Sequence, residues 1–382
     1  MNADVDGVIP VDESSELAFQ LLADWWMDSV QALVDAVGSL KALELLRPHY
    51  KNAGISAFLT LKDFLRMVEI DRLSWAFRQK IAFDFLTRAD PKQMRSDIRE
   101  HGGIARSREC PFRSAPPEMC ELVCEIAPNA SLEICHPEYD QVMTKRLSRG
   151  DPECVWLTKP RSWNLPCDAS LLGEVKAEIL PRVFSKEVVD DFSIQYLAEF
   201  WVISSRAFVE QFGETRAASV LNFYMKHSGT SFGLRFRSSN ACEVSIGKAR
   251  ECIGHCTAAL HMIGKSNGSV QDGWEYTVTE CPFKDAPPEV CEEFRSFCEG
   301  ICESIDPELV FVYDRMMTKG DETCHWTLRK KNEKQPTRFS KPSLDDHVKR
   351  LIAKYVEGEI SDDDFRRKME IIRDYESEPS IR

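Results

Sequence analysis

The sequence predicts an α+β protein built from two similar units, and three observations lead to that fold class. The segment Glu109–Phe112 returns as Glu280–Phe283, 171 positions later, and each copy continues through Ala-Pro-Pro-Glu to a cysteine. The motif Gly-Asp-x-x-Cys-x-Trp also occurs twice, at Gly150–Trp156 and at Gly320–Trp326. Helical and strand patterns alternate around each copy. We therefore interpret the chain as an internal duplication of an α+β unit.

The duplication extends upstream of these motifs. Residues 22–54 align without a gap on residues 197–229, with identical tryptophan, glycine and leucine positions. One unit therefore spans about 140 residues, which is an ordinary domain size. We expect a first unit over residues 15–158, a linker over 159–190 and a second unit over 191–329.

Paired helices are predicted to open each unit. Apolar residues over Ser15–Val37 follow a 3.6-residue period, which predicts a helix that ends at Gly38. A second helix is predicted over Leu40–Asn52, with Gly54 at its end. The corresponding helices of the second unit are Ile194–Phe212 and Glu214–His227.

A strand, a helix and a hairpin are predicted to follow. Alternation and β-branched residues indicate a strand over Trp274–Thr279, and Ile104–Arg108 is its weaker counterpart. Pro-Pro-Glu is typical of a helix start, because proline is tolerated in the first turn and an acid there favours the helix dipole. Two short strands around Gly-Asp then form a hairpin, in which Gly supplies a positive φ and Asp bonds its own backbone.

The segment after residue 329 differs in kind. Residues 330–343 are polar and contain proline, which predicts a flexible tether. Residues 344–376 carry two short amphipathic patterns separated at Gly358, which predict a helical hairpin. This segment resembles the short C-terminal (SHOCT-like) domain, and that resemblance implies self-association or partner docking. We expect a homo-oligomer or a protein partner held through residues 344–376, because so small a pair buries little surface alone.

Composition narrows the classes of function. With 382 residues, 43% apolar and 29% charged, the chain has the balance of a globular protein. Its net charge of -13 argues against a nucleic-acid partner, because phosphate binding needs clustered Lys and Arg. No secretory signal and no stretch of about 18 to 20 apolar residues is visible, so we expect a cytoplasmic protein without a membrane span. Fourteen cysteines in a reducing compartment are then free thiols, metal ligands or catalytic groups rather than disulfides.

The repeated motifs resemble a known family. Cys-Pro-Phe, a cysteine-bearing helix and Gly-Asp-x-x-Cys-x-Trp together resemble the L-2-amino-thiazoline-4-carboxylic acid hydrolase-like family and, more distantly, the vinyl-reductase-type ligand-binding domains. The resemblance covers about a third of the chain. It implies an α+β pocket for a small organic acid or heterocycle and hydrolysis of a ring C–N bond. The positions it implies as pocket residues are Cys291, Cys324 and Trp326 in the second unit and Cys120, Cys154 and Trp156 in the first.

Two further residue pairs are candidates for catalysis. Cys110 and Cys281 lie where a strand ends before a helix, and the helix dipole favours a thiolate at such a position. Glu109 and Glu280 are the titratable neighbours common to both copies. A carboxylate raises the pKa of an adjacent thiol, so it does not help to activate that thiol as a nucleophile. Each Glu is better suited to act as a general base for water or as a hydrogen-bond acceptor for a ligand. The alternative is a buried thiol beside a structural Pro-Phe turn.

Metal binding is a second hypothesis for the cysteines. The three repeated thiols of each unit would suit a soft metal if they converged. Cys252 and Cys256, and likewise Cys298 and Cys302, lie one helical turn apart, and two such helices side by side would suit zinc or an iron–sulfur cluster. Packing of small apolar groups explains the same spacing.

Three functions thus stay open at this level. The chain is a small-molecule-binding protein with hydrolase activity, a non-catalytic ligand sensor or accessory protein, or a redox protein that holds a metal or cluster. Catalysis requires an acid or base that faces the thiols in a cavity, sensing requires only the cavity, and redox chemistry requires converging thiolates.

Overall fold

The computed structural model describes residues 11–64, 94–99, 101–110, 112–163, 186–239, 245–267 and 273–331. These residues form seven α-helices and two four-stranded antiparallel sheets, so the predicted α+β class is confirmed. None of the helices in these ranges is long and apolar enough to cross a lipid bilayer. The predicted C-terminal helical hairpin at 344–376 and nearly all of the predicted tether lie outside the described residues.

The elements of the first half are α1 (Val11–Val37), α2 (Ser39–Phe64), β1 (Met94–Arg99), β2 (Gly102–Ser107), a π-helical turn (Leu122–Ile126), α3 (Ala127–Cys135), β3 (Tyr139–Lys145) and β4 (Cys154–Pro160). Those of the second half are α4 (Lys186–Phe212), α5 (Glu214–Ser239), α6 (Ile246–Ala259), β5 (Ile263–Asn267), β6 (Trp274–Glu280), α7 (Pro288–Ile305), β7 (Leu309–Arg315) and β8 (Cys324–Lys330).

The two sheets have the same strand order. One runs β1-β2-β4-β3 and the other β5-β6-β8-β7, and every pairing is antiparallel. Their registers also agree, since Met143 pairs with Trp156 and Tyr313 pairs with Trp326, each just before a register shift. The predicted hairpins are present as β3–β4 and β7–β8. The sequence patterns did not indicate the edge strands β1 and β5.

The repeated Gly-Asp dipeptide is a turn. Gly150 and Gly320 have φ values of 87° and 94°, a conformation that favours glycine. The Oδ2 of Asp151 accepts a hydrogen bond from the Arg146 backbone N–H at 2.7 Å, and Asp321 does the same for Met316 at 2.8 Å. Both aspartates therefore stabilise the backbone of the turn.

Helix α2 does not end at Gly54, so that prediction is wrong. It continues to Phe64, because Gly54 lies inside the helix where α2 crosses the backbone of Ala127. A Cβ at Gly54 would overlap the Ala127 carbonyl oxygen, and a Cβ at Gly229 would overlap that of Phe297. Helix α5 accordingly extends past its predicted end to Ser239. These glycines permit close helix contact rather than helix termination.

One hydrophobic core serves both halves. Helix α1 packs along α4, and the rings of Trp25 and Trp201 lie 4.8 Å apart between them. The Trp26 indole donates to the Tyr50 hydroxyl, which in turn lies 2.8 Å from the Ser204 hydroxyl. The residues up to Lys331 form one compact unit. The helices of the two halves are thus joined by buried aromatic contacts and buried hydrogen bonds.

A π-helical turn marks one difference between the halves. Cys120 corresponds to Cys291 at a spacing of 171, whereas Ala127 corresponds to Phe297 at 170, since each contacts the equivalent glycine. The first half therefore holds one extra residue in between, and the wide turn over Leu122–Ile126 accommodates it. Such turns are the usual result of a one-residue insertion in an α-helix.

Candidate functional site

A cavity lies between α1 of the first half and the α4, α7 and β6–β8 elements of the second half. Its walls are mainly aromatic, and three thiols complete them. The aromatic residues that matter most are Trp25, Trp201, Phe294, Tyr313 and Trp326. The free volume is about 10 Å³, close to the least space that holds one water molecule. The cavity is therefore nearly closed by its own side chains.

Four of the residues predicted for a site meet at this cavity. Cys281 follows β6, Cys291 lies in the first turns of α7, and Cys324 and Trp326 belong to β8. The sheet brings β6 beside β8, and the β6 residue Tyr276 stacks on Trp326 with ring centroids 5.3 Å apart. The three repeated cysteine positions thus line one cavity, although they are far apart in the sequence, and among the described residues they do not form a group that could hold a metal ion.

The thiols at the cavity are neutral at physiological pH. Burial raises the pKa of Cys281 to about 11 and that of Cys291 to about 12. Burial also raises the pKa of Cys324. Hydrogen bonds from the Met317 backbone N–H at 3.2 Å and from the Tyr313 hydroxyl lower this pKa, but burial has the larger effect. Among the described residues that line the cavity, none carries a positive charge that would favour a thiolate. The geometry therefore does not activate these sulfurs as nucleophiles.

Two hydrogen-bond donors at the cavity are unused. The indole N–H groups of Trp25 and Trp326 are buried, and within the described part of the chain neither has a hydrogen-bond partner. The third indole, that of Trp201, donates to Glu293 at 2.7 Å. Buried donors without a partner are rare in folded proteins. Trp25 lies on an apolar helix face, where the sequence pattern indicates only core packing.

The two glutamates predicted as bases lie away from the cavity. Glu280 and its counterpart Glu109 are both exposed. Glu293 is the acid that sequence reasoning missed: it is 1% exposed on α7, and burial raises its pKa to about 7. Its place between Val290 and Phe297 on the apolar face of the helix is the signal that would have found it.

The first half has a thiol cluster at the corresponding place. Cys154 and Trp156 pack with Ala105 and Met143, and Cys110 and Cys124 lie against them. Cys120 is also buried, and its thiol lies 3.8 Å from the Phe112 carbonyl oxygen. The smaller Ala105 and Met143 stand where the second half has Tyr276 and Tyr313.

The other thiols do not fit a metal centre. Cys252 and Cys256 on α6, and Cys298 and Cys302 on α7, are all buried in the main core. In the described ranges, no three His, Cys, Asp or Glu side chains converge as metal ligands would. Burial raises the pKa of Cys298 well above its usual value. These cysteines therefore pack as small apolar side chains and do not form a zinc or iron–sulfur site within the described ranges.

Comparison with known proteins gives no match. No protein-family model matches the chain, and no match is found among curated proteins or among solved structures. The family resemblance that the motifs suggest therefore stays a prediction.

Proposed function

We propose that the protein binds a small, flat, neutral heterocycle in the cavity of the second half. The observation that carries this proposal is the pair of buried indole N–H groups of Trp25 and Trp326, which have no hydrogen-bond partner among the described residues. A ring nitrogen that accepts a hydrogen bond would give such a donor a partner, and aromatic walls suit a flat ring.

The charge of the lining favours a neutral ligand over an organic acid. A buried carboxylate without a cationic partner is strongly disfavoured, and the described lining residues supply no cation. The sequence-based expectation of an organic acid or heterocycle is thus narrowed to the heterocycle.

Binding requires the cavity to widen. Its free volume of about 10 Å³ is far below that of ordinary ligand pockets. Cys281 and Tyr313 are the half-buried members of the lining, whereas Trp25 and Trp326 are fully buried. We therefore propose that the side near Cys281 and Tyr313 opens to admit the ligand.

A role in sensing is better supported than hydrolysis. The raised pKa values of Cys281 and Cys291 leave them neutral, and Glu280 is exposed. Hydrolysis of a ring C–N bond, which the family resemblance implies, would need a base at the cavity. We propose a cytoplasmic ligand-binding or sensor protein, with the hydrolase as the second candidate.

We further propose that the two halves derive from one duplicated unit and that residues 344–376 mediate association. The shared strand order and the equivalent contacts of Gly54 and Gly229 support the duplication. The apolar periodicity of the C-terminal sequence supports the association.

Titration calorimetry on the full chain tests the ligand proposal with two probes, indazole and indazole-3-carboxylate. We expect indazole to bind and its carboxylate to bind at least about tenfold more weakly, because of the unpaired charge. Trp326→Phe keeps the ring and removes the N–H, and it should weaken indazole binding by about three- to tenfold, the equivalent of one hydrogen bond.

Trp156→Phe is the matched control. Trp156 has the same position in the first half, and its indole already forms a hydrogen bond with Cys124. This variant should bind indazole like the native protein. Preference for the carboxylate, or an equal loss in both variants, would exclude the proposed site. The unfolding midpoints of both variants distinguish lost binding from lost folding.

A further inference from the structure

Two thiols of the first half share a hydrogen bond at the start of β4. Cys110 packs against the buried cluster that contains Cys154, and its thiol donates to the Cys154 sulfur. The backbone N–H of Leu147 donates to the same sulfur at 3.3 Å. Strand pairing explains the approach, because Ser107 at the end of β2 lies opposite Cys154 and the chain reaches Cys110 three residues later.

The corresponding thiols of the second half are arranged differently. Cys324 accepts a hydrogen bond from a backbone N–H in the same way, but its second donor is the Tyr313 hydroxyl. Met143 occupies the register position of Tyr313 in the first half and has no hydroxyl. The Cys110 thiol supplies the second hydrogen bond there instead.

These contacts favour the thiolate form at one sulfur of the first half. The hydrogen bond from Cys110 lowers the pKa of Cys154, although burial acts in the opposite direction, and the Leu147 N–H assists. The same hydrogen bond, together with burial, raises the pKa of Cys110. In the second half burial is the main influence, and it raises the pKa of both Cys281 and Cys324.

We propose that Cys154 and Cys110 are an oxidation site, which a small hydroperoxide converts into a disulfide. A thiolate beside a second thiol is the arrangement in which a sulfenic acid forms and is then resolved. Cys154 is only 4% exposed, whereas Cys110 is half-buried and borders the solvent. Access of this kind suits hydrogen peroxide better than a bulky disulfide.

The reaction has two balanced steps. The Cys154 thiolate attacks one oxygen of hydrogen peroxide, the O–O bond breaks, and the departing hydroxide takes a proton from solvent to become water. Cys154 is then a sulfenic acid. The Cys110 sulfur attacks the Cys154 sulfur, the S–O bond breaks, and the hydroxyl leaves as water with the Cys110 proton. Two thiols lose two electrons in total, and one peroxide is reduced to two waters.

Peptide mapping of the oxidised full chain tests this proposal. The reduced protein is freed of reductant, treated with hydrogen peroxide, alkylated and digested with trypsin without reduction. Each of the four cysteines lies on its own single-cysteine tryptic peptide: 109–113, 150–161, 266–284 and 320–329. We expect peptides 109–113 and 150–161 to become joined by a disulfide, with a mass two hydrogens below their sum.

The second half is an internal control within the same digest. Peptides 266–284 and 320–329 should stay alkylated at peroxide doses about tenfold higher, because their thiols are protonated. Cys110→Ser should stop the reaction at a sulfenic acid on Cys154, which dimedone labels. Equal oxidation of both halves, or pairing of Cys154 with Cys120 or Cys124, would overturn the proposal. The peptide map of the unsubstituted protein is sufficient for the test, so the test remains valid even if the Cys110→Ser variant fails to fold.

Discussion

Glu293 accepts a hydrogen bond from the Trp201 indole at 2.7 Å in the interior that the two halves share. Burial raises the pKa of Glu293 to about 7, and the hydrogen bond from Trp201 offsets only part of this rise. Asp28 on α1 has its pKa raised to about 8, again chiefly by burial. Glu293 and Asp28 are therefore acids whose protonated forms favour the folded state.

Stability should consequently fall as pH rises toward neutrality. The folded chain keeps the Glu293 proton where the unfolded chain has lost it, so the stabilisation is complete below the unfolded pKa and is lost as pH rises through about 7. We expect the free energy of unfolding to drop by about 2 kcal/mol more between about pH 5.5 and about pH 8 in the native protein than in Glu293→Gln. Urea denaturation at both pH values measures this difference. Glu280→Gln changes an exposed glutamate and should keep the native slope; the same slope in all three proteins would refute the prediction.

Arg146 should contribute to stability through its buried ion pairs. Its guanidinium is 7% exposed and contacts Glu121 at 2.9 Å and Glu125 at 2.6 Å. The second half has Met316 at this position, so Arg146→Met introduces a side chain that the fold already accepts. We expect a loss of about 1 to 3 kcal/mol in chemical denaturation, because two half-buried carboxylates lose their partner.

Arg149 provides the comparison for Arg146. It is 53% exposed and approaches Glu121 only to 3.8 Å. Arg149→Met should therefore cost less than about 1 kcal/mol, as exposed ion pairs do. If both variants lost the same free energy of unfolding, the burial of Arg146 would not make its ion pairs more stabilising than that of Arg149.

The C-terminal segment should be separable from the main body. Residues up to Lys331 form one compact unit, and the predicted association segment lies beyond it. Removal of residues 344–382 should lower the oligomeric state in sedimentation velocity while the thermal midpoint of the body stays nearly unchanged. Leu351→Lys, on the predicted apolar face, should act like the truncation, whereas Lys354→Ala should not. Identical sedimentation of the truncated and full-length chains would end the association hypothesis.

Sequence reasoning succeeded where a residue type determines its own conformation. Gly38 ends α1 with a φ of 82°, and Gly150 makes its turn with a φ of 87°, both as predicted. It failed at Gly54, because the role of that glycine depends on Ala127, which is distant in sequence. The π-helical turn at Leu122–Ile126 was visible only as a change of spacing between the two copies.

Part of the candidate site was also predictable from the sequence. The cysteines at 281, 291 and 324 identified one wall of the cavity, because the motifs that contain them occur twice in the sequence. Trp25 comes from the other half of the chain and follows an ordinary helical stripe, so no local pattern links it to those cysteines. Cys154 and Cys324 differ in their second hydrogen-bond donor, because Met143 stands at the register position of Tyr313, a correspondence that only the strand pairing reveals.

The two close helix crossings provide the most direct test of the shared architecture. Gly54→Ala and Gly229→Ala each place a methyl group against a backbone carbonyl that cannot rotate away. We expect each variant to lose about 1 to 3 kcal/mol in chemical denaturation, the usual cost of overpacking. Gly254→Ala is the control, since a Cβ at that position in α6 meets no atom within 4 Å. It should be neutral or stabilising by up to about 1 kcal/mol, because alanine favours helix more than glycine does. If Gly54→Ala and Gly229→Ala proved as harmless as Gly254→Ala, the helices would not be in contact at these glycines, and the equivalence of the two crossings would have to be abandoned.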